Sequence, residues 1–336
     1  MFGTRPLSMA RLLKARGISM RTHGIYIMAF VACSMLASCS VPVHRVQDSP
    51  DVKNRAVVQA DTGEDVARHL TARYSDTRAN CGSDSQPAFL CNGVLIRGTS
   101  SNPSYHVWEN SPASLEKGGV SVSYLRADSN FNKLAFGYNN GFVLAAYYYA
   151  SEKLHPEVLC FFPIDADTVN RSNKGCGENS GFAGSGPCHL QGVNTAAQFW
   201  THYSAHASSR HAYQCGFDVT DARDALAGPA FAAGLGAMSL MGAESFAEQN
   251  EFIVAAWGNG LGRSLPLEAF FYIENSGGLA TAQRNQQDLE ATDGIRIPII
   301  SVKLPQASGQ AASFYFRDAD QSTADPNDGE LGPAGF

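Results

Sequence analysis

Glu251-Phe252-Ile253-Val254-Ala255-Ala256-Trp257, followed after a glycine-containing break by Leu267-Glu268-Ala269-Phe270-Phe271-Tyr272-Ile273, reads as two strands in succession. Apolar, β-branched and aromatic residues dominate both runs, the composition of buried strands. Ahead of them, residues 229–244, rich in Ala, Leu and Met, predict a helix packed in the core. Beyond them, residues 278–290 have helical character and residues 295–302 read as a third strand, which makes a strand-helix-strand unit. Further strands are predicted over residues 93–99, 120–124, 141–149 and 158–163. The second of these rests on alternation of apolar and small polar residues behind Gly118-Gly119. Helices are predicted from Thr62, with Val66, Leu70 and Tyr74 four apart on one face, over residues 131–138, and over residues 195–206. Helices and short strands are interleaved without strict βαβ alternation, which points to the α+β class rather than a doubly wound sheet.

The chain has 336 residues, 44% apolar and 17% charged, enough to bury a core. Its net charge of −6 leaves no basic stripe to neutralise a nucleic-acid backbone, so DNA and RNA are set aside as partners. Arg5, Arg11, Lys14, Arg16 and Arg21 lie before position 39 in a stretch without acids, and removing those five charges from −6 leaves −11. Residues 20–40 combine a positive start, an apolar run from Ile25 to Ala37 and then small residues, the pattern of a secretory signal. Met20 is then the expected start, with residues 1–19 an over-extended gene start. The apolar run is too short for a comfortable bilayer span. Leu36-Ala37-Ser38-Cys39 resembles a bacterial lipobox, which implies acylation of Cys39 and, with Ser40 next, an outer-membrane address reached through the lipid alone. The plain alternative is a secretory signal cut near Ser38; either way the protein is exported. Residues 39–60 read as a polar tether, residues 61–318 as one catalytic-type domain, and residues 319–336 as an acidic disordered tail.

With Cys33 in the signal and Cys39 assigned to lipid, Cys81, Cys91, Cys160, Cys176, Cys188 and Cys215 remain, an even number that predicts three disulfides in an oxidising compartment. Their pairing is open, although Cys81 and Cys91 close a short loop and Cys176 and Cys188 flank a Gly/Ser-rich one. Residues 165–190 therefore read as a stapled surface loop. No Cys-x-x-Cys pair is present, so the cysteines are taken as staples rather than as a zinc ribbon or a redox motif.

Three elements carry candidate chemistry: Leu95-Ile96-Arg97-Gly98-Thr99 ending a strand, Gly119-Val120-Ser121-Val122-Ser123-Tyr124, and Glu248-Gln249-Asn250-Glu251 running into a strand. In that order they resemble the ADP-ribosyltransferase superfamily, whose pattern is an Arg ending a strand, a Ser-Thr-Ser strand, and a Glu/Gln-x-Glu opening a later strand. The chain also resembles the halovibrins, secreted bacterial NAD-cleaving proteins, over roughly residues 62–305, from Cys81-Gly82-Ser83 through Asn132-Lys133-Leu134-Ala135 to Gln249-Asn250-Glu251. The resemblance implies mixed, largely antiparallel sheets with flanking helices, NAD as substrate, no tightly bound cofactor, and water or a target protein as acceptor of ADP-ribose. It implies Glu251 as the carboxylate beside the ribose, Arg97 with Gly98 as phosphate or ribose anchor, Ser121 orienting Glu251 with Ser123 in support, and Gln249 at the position that helps choose the acceptor. Val122 departs from the family's Thr.

The chemistry accounts for those residue types. An Arg offers a planar, permanently charged fork for a pyrophosphate. Breaking the ribose–nicotinamide bond passes through an oxocarbenium-like cation, which a fixed carboxylate stabilises. Of the aromatics flanking the first two motifs, Tyr105, Trp108 and Phe131, the latter two are taken as candidates to stack on nicotinamide or adenine, against the ordinary fate of core packing. Rival readings are a disulfide-stapled envelope lipoprotein that binds a partner, with Arg97 and Glu251 merely structural, and a zinc hydrolase using His202 and His206, four apart on a helix but lacking the metalloprotease Glu and a third ligand. Asp165, Asp167 and Asn170 lack the closing Glu of an EF-hand, so no metal is expected.

Overall fold

A computed structural model describes residues 62–100, 104–145, 158–166, 168–169, 175–179, 186–205, 214–220, 226–255 and 267–317. The first helix, α1 (Gly63–Ser75), starts where a capping box lets it: the Thr62 side chain accepts from Asp65 N–H and the Asp65 carboxylate accepts from Thr62. Its Val66, Leu70 and Tyr74 are buried, as their spacing predicts. The strands follow as β1 (Val94–Gly98), β2 (Gly119–Leu125), β3 (Asn140–Leu144), β4 (Val158–Phe162), β5 (Thr168–Val169), β6 (Glu178–Asn179), β7 (Phe217–Asp218), β8 (Glu251–Ala255), β9 (Leu267–Ile273), β10 (Ile299–Lys303) and β11 (Ser313–Phe316). The remaining helices are α2 (Pro112–Lys117), α3 (Ala196–Ser204), α4 (Ala227–Met241), α5 (Ala243–Ala247) and α6 (Leu279–Asp293).

Among the described residues nine strands form one sheet in the order β11-β10-β9-β3-β1-β2-β8-β4-β7, with β5 and β6 a separate hairpin. Among the described residues every strand pairing is antiparallel except β9 with β10, the pair that α6 connects. This is the predicted strand-helix-strand unit, and a parallel pair needs such a crossover. The class is α+β. Alternation along the strands feeds two cores, one on each face. On one, Leu95, Val122, Tyr124, Phe142 and Phe252 meet Phe231 and Met238 of α4 and Leu289 of α6. On the other, Ile96, Val143 and Phe271 meet Val66, Leu70 and Tyr74 of α1. The described elements belong to one compact unit.

The disulfides are Cys81–Cys91, Cys160–Cys176 and Cys188–Cys215. All six predicted cysteines are paired; Cys176 and Cys188, which flank the Gly/Ser-rich stretch, each pair away from it, Cys176 with a residue before it and Cys188 with a residue after it. These bonds are compatible with an exported protein. No helix among the described residues is long and apolar enough to cross a membrane.

Some elements differ from expectation. The helix predicted over 131–138 is an extended segment with a single tight turn at Ala135–Gly137, because Phe136 sits in the left-handed region at φ 53° and Gly137 follows at φ 69°. The strand predicted from 295 begins only at Ile299, since Pro298 has no N–H to give the ladder. Helix α2, with Ser111 as cap, Pro112 in its first turn and Gly118 left-handed at its end, and edge strand β11 were not anticipated. Residues 146–149 and 256–257 of two predicted strands, Cys39 with the signal and tether, and the acidic tail from 318 onward lie outside the described residues.

Candidate active site

The sheet splits where the candidate residues meet. Strand β1 pairs with β2 only through Val94–Ile96 against Ser123–Leu125, whereas the first half of β2, Gly119–Val122, pairs only with β8. Arg97 and Gly98 continue on β3 instead, opposite Phe142 and Gly141. That close approach requires a glycine: a Cβ on Gly141 would lie 1.8 Å from the Arg97 carbonyl oxygen. Where β1 and β2 part, the Arg97 guanidinium spans the gap and donates through Nη1 to the Ser121 carbonyl. A cleft of about 580 Å³ opens there, lined by Arg97, Gly98, Ser121, Ser123, Gln249 and Glu251 among others. That size falls within the range of small-molecule sites.

On β2, Ser121 and Ser123 share one face because side chains alternate, while Val122 between them faces the core shared with Phe252. Val122 therefore sits away from the polar face. Each serine reaches diagonally across to the segment entering β8. Ser121 Oγ donates to Glu251 Oε1, and Ser123 Oγ donates to Gln249 Oε1 at 2.6 Å. The two-residue spacing of the serines matches that of Gln249 and Glu251, so one register satisfies both pairs.

Asn250, between them, turns the other way and clamps the backbone of Tyr124, accepting from its N–H and donating to its carbonyl, both at 2.7 Å. It is fully buried and holds the approach to β8 in register. Nothing at this position was flagged by the sequence, although three polar residues in a row before an apolar strand are a usable signal.

Glu251 is only 1% exposed. Its second oxygen, Oε2, accepts from the Ala166 N–H at 3.0 Å, so the carboxylate sits between one hydroxyl and one amide. Gln249, 8% exposed, has its orientation set by three partners. Its Oε1 also accepts from the Ala135 N–H at 3.0 Å, and its Nε2 donates to Asp165 Oδ2 at 3.3 Å. The segment Asn132 to Ala135 thus reaches the site through a backbone amide. Asp165 and Ala166 follow β4 and were not assigned a place in this site from sequence.

Trp108 and Phe131 are core residues. Trp108, 3% exposed, stacks on His106 and packs edge-on against Phe270; Phe131 is fully buried on the α1 side of the sheet. Neither lines the cleft. The aromatics that do are Tyr105, Phe136 and Tyr138. Gly98 makes room for one of them, since a Cβ there would lie 2.7 Å from Cβ of Tyr138. Phe136 is 90% exposed at a left-handed position, unusual for a bulky side chain and a recurrent mark of functional turns.

Behind the site, a buried network fixes the other end of β2. The Tyr124 phenol, pushed well above its ordinary range by burial, donates to Asn92 at 2.5 Å. The Arg126 guanidinium forks onto Asp128 at 2.5 and 2.7 Å and donates to the Arg78 carbonyl at 2.8 Å, which ties the end of β2 to the segment just before the Cys81–Cys91 loop.

His202 lies on α3, whereas His206, Asp167 and Asn170 lie outside the described residues. Among the described residues no three His, Cys, Asp or Glu side chains are grouped to hold a metal. Chemically, the cleft combines a buried carboxylate held by two donors, a guanidinium at the mouth of the split and exposed aromatic surface. Such a site can stabilise a developing cation, anchor an anion and stack a planar ring. In comparisons with known proteins, no family model and no curated sequence matches the chain.

Proposed function

We propose that this chain is an exported NAD-cleaving enzyme, an ADP-ribosyltransferase or NAD glycohydrolase, that releases nicotinamide and passes ADP-ribose to water or to a protein acceptor. The observation that carries the reading is the paired diagonal contact of Ser121 with Glu251 and Ser123 with Gln249, beside Arg97, in a single cleft. Three motifs drawn from distant parts of the chain converge there, which supports the roles that the resemblance implies for them.

Glu251 stands as the electrostatic partner of the ribosyl cation. Its two hydrogen bonds hold the carboxylate in one orientation before substrate arrives, so little reorganisation is needed as charge develops. Nicotinamide departs neutral and needs no general acid. Arg97 serves as the anchor for the pyrophosphate or ribose, with one N–H committed to the Ser121 carbonyl, which orients the fork. The rim rings Phe136 and Tyr138 replace Trp108 and Phe131 as the surface for a planar base. A lipid on Cys39 would hold the enzyme at the outer membrane, and a cut near Ser38 would release it.

The test is nicotinamide release from NAD by the purified, oxidised protein beside Glu251→Gln. The amide keeps the size of the side chain and removes the charge, so release is expected to fall by roughly 10²–10³-fold with the fold retained. A folded wild type that releases no nicotinamide, with or without added protein acceptors, would sink the reading and favour a partner-binding envelope protein.

A further inference from the structure

Asp165 sits in a segment whose backbone is pinned at Ile164, Asp165 and Ala166. The Ile164 and Asp165 carbonyls accept from Nε2 of the fully buried Gln214, at 2.8 and 3.3 Å. The Asp165 N–H donates to the Gln249 carbonyl at 3.0 Å, and the Ala166 N–H donates to Glu251. Gln214 is in turn held by its neighbour Cys215, bonded to Cys188. A solvated aspartate in a surface loop needs no such construction. Here it delivers a half-buried carboxylate into the cleft, next to Gln249 and one residue from the amide that holds Glu251.

The division of labour in the cleft leaves a task for it. Both Glu251 oxygens accept hydrogen bonds that suit a fixed charge. Gln249 is an amide and cannot take a proton at neutral pH. Of the other acids lining the cleft, Glu109 accepts from the His106 backbone and Glu248 ends a helix, whereas Asp165 is bonded to the Gln-x-Glu segment by both main chain and side chain.

We propose that Asp165 is the proton-accepting carboxylate of the cleft, aimed by Gln249; the proposal rests on the NAD-cleaving reading and deepens it. In hydrolysis, the bond from ribose C1′ to the nicotinamide nitrogen breaks, and its electron pair leaves with neutral nicotinamide. A bond forms from a water oxygen to C1′, and the proton of that water passes to the Asp165 carboxylate and then to solvent. The carboxylate that accepts the proton is thereby supplied from the β4 loop instead of from position 249.

The test compares the oxidised full chain with Asp165→Asn and Asp165→Glu by nicotinamide release across pH 4.5–9, with NAD affinity and thermal midpoint measured in parallel. Asp165→Asn is expected to lower kcat by on the order of 10²-fold. KM should stay within about twofold and the acidic limb of the pH profile should disappear. Asp165→Glu should restore part of the rate together with that limb. A profile of unchanged shape, or a rise in KM and loss of midpoint that Asp165→Glu does not repair, would make Asp165 a structural residue and overturn the proposal while leaving NAD cleavage intact. A wild type without nicotinamide release overturns both.

Discussion

Exchanging Gln249 for Glu probes the wiring of the site without requiring activity. In the native protein the Gln249 amide nitrogen faces Asp165 Oδ2 at 3.3 Å, while its oxygen lies between the Ser123 hydroxyl and the Ala135 amide. A glutamate keeps those two donors and turns the third contact into carboxylate against carboxylate. At an effective dielectric of about 20, unit charges 3.3 Å apart repel by about 5 kcal/mol. The pair can escape by retaining one proton, and keeping a glutamate protonated at pH 7 against an ordinary value of about 4.3 costs about 3.7 kcal/mol. The cheaper route sets the expectation: Gln249→Glu destabilises by roughly 3–4 kcal/mol at pH 7. The sign with pH follows from the shared proton, which the folded variant binds more tightly than the unfolded chain. The penalty is therefore full at neutral pH, falls to about 1 kcal/mol at pH 5 and vanishes below about pH 4. In an Asp165→Asn background the same exchange should cost under about 1 kcal/mol. Urea unfolding of the four proteins of this cycle, followed by fluorescence at pH 7 and pH 5, measures the coupling. An equal cost in both backgrounds, or one that ignores pH, would refute the contact.

Other consequences are independent of that pair. Replacing Cys188 and Cys215 by Ala should cost about 3.5 kcal/mol from the loop entropy of a 27-residue separation. Because Gln214 adjoins Cys215, under the NAD reading nicotinamide release should decline at denaturant concentrations below the global transition, and parallel loss of both would detach the disulfide from the site. Asp76 is held at about 2 by its hydrogen bonds from Arg78, so its contribution is present above its ordinary value of 3.8 and lost as pH falls through about 2. An acid titration of Asp76→Asn should accordingly be flatter than that of the wild type between those values; superimposable curves would contradict the ion pair. Phe136→Gly relieves a left-handed side chain and should leave stability within about 1 kcal/mol of the wild type. Under the NAD reading it should raise KM, and an unchanged KM would remove the ring from the site.

Much of the local structure could be read from the chain because its signals are local. The Ser121 and Ser123 alternation, the Thr62 capping box, the four-residue spacing of Val66, Leu70 and Tyr74, and the even cysteine count depend on neighbours a few positions apart. The residues of the cleft were legible in another way, through the resemblance and not through periodicity: Arg97 lies near the end of β1, Ser121 within β2, and Gln249 two residues before the Glu251 that opens β8. The turn at Phe136 escaped notice because its left-handed backbone contradicts what a phenylalanine prefers, and Trp108 and Phe131 were misplaced because an aromatic beside a motif carries no mark of which side of the sheet it faces.

The alternation that puts both serines on one strand face, the α+β succession of elements and the supply of cysteines are all written along the chain. That β8 lies beside β2, that β1 departs from β2 at Arg97 to open the cleft, and that the loop after β4 brings Asp165 and the Ala166 amide to Gln249 and Glu251 emerge only on folding. Side-chain direction along a strand follows from a two-residue period, whereas the choice of neighbouring strand is made by packing and backbone hydrogen bonding between segments far apart in the chain.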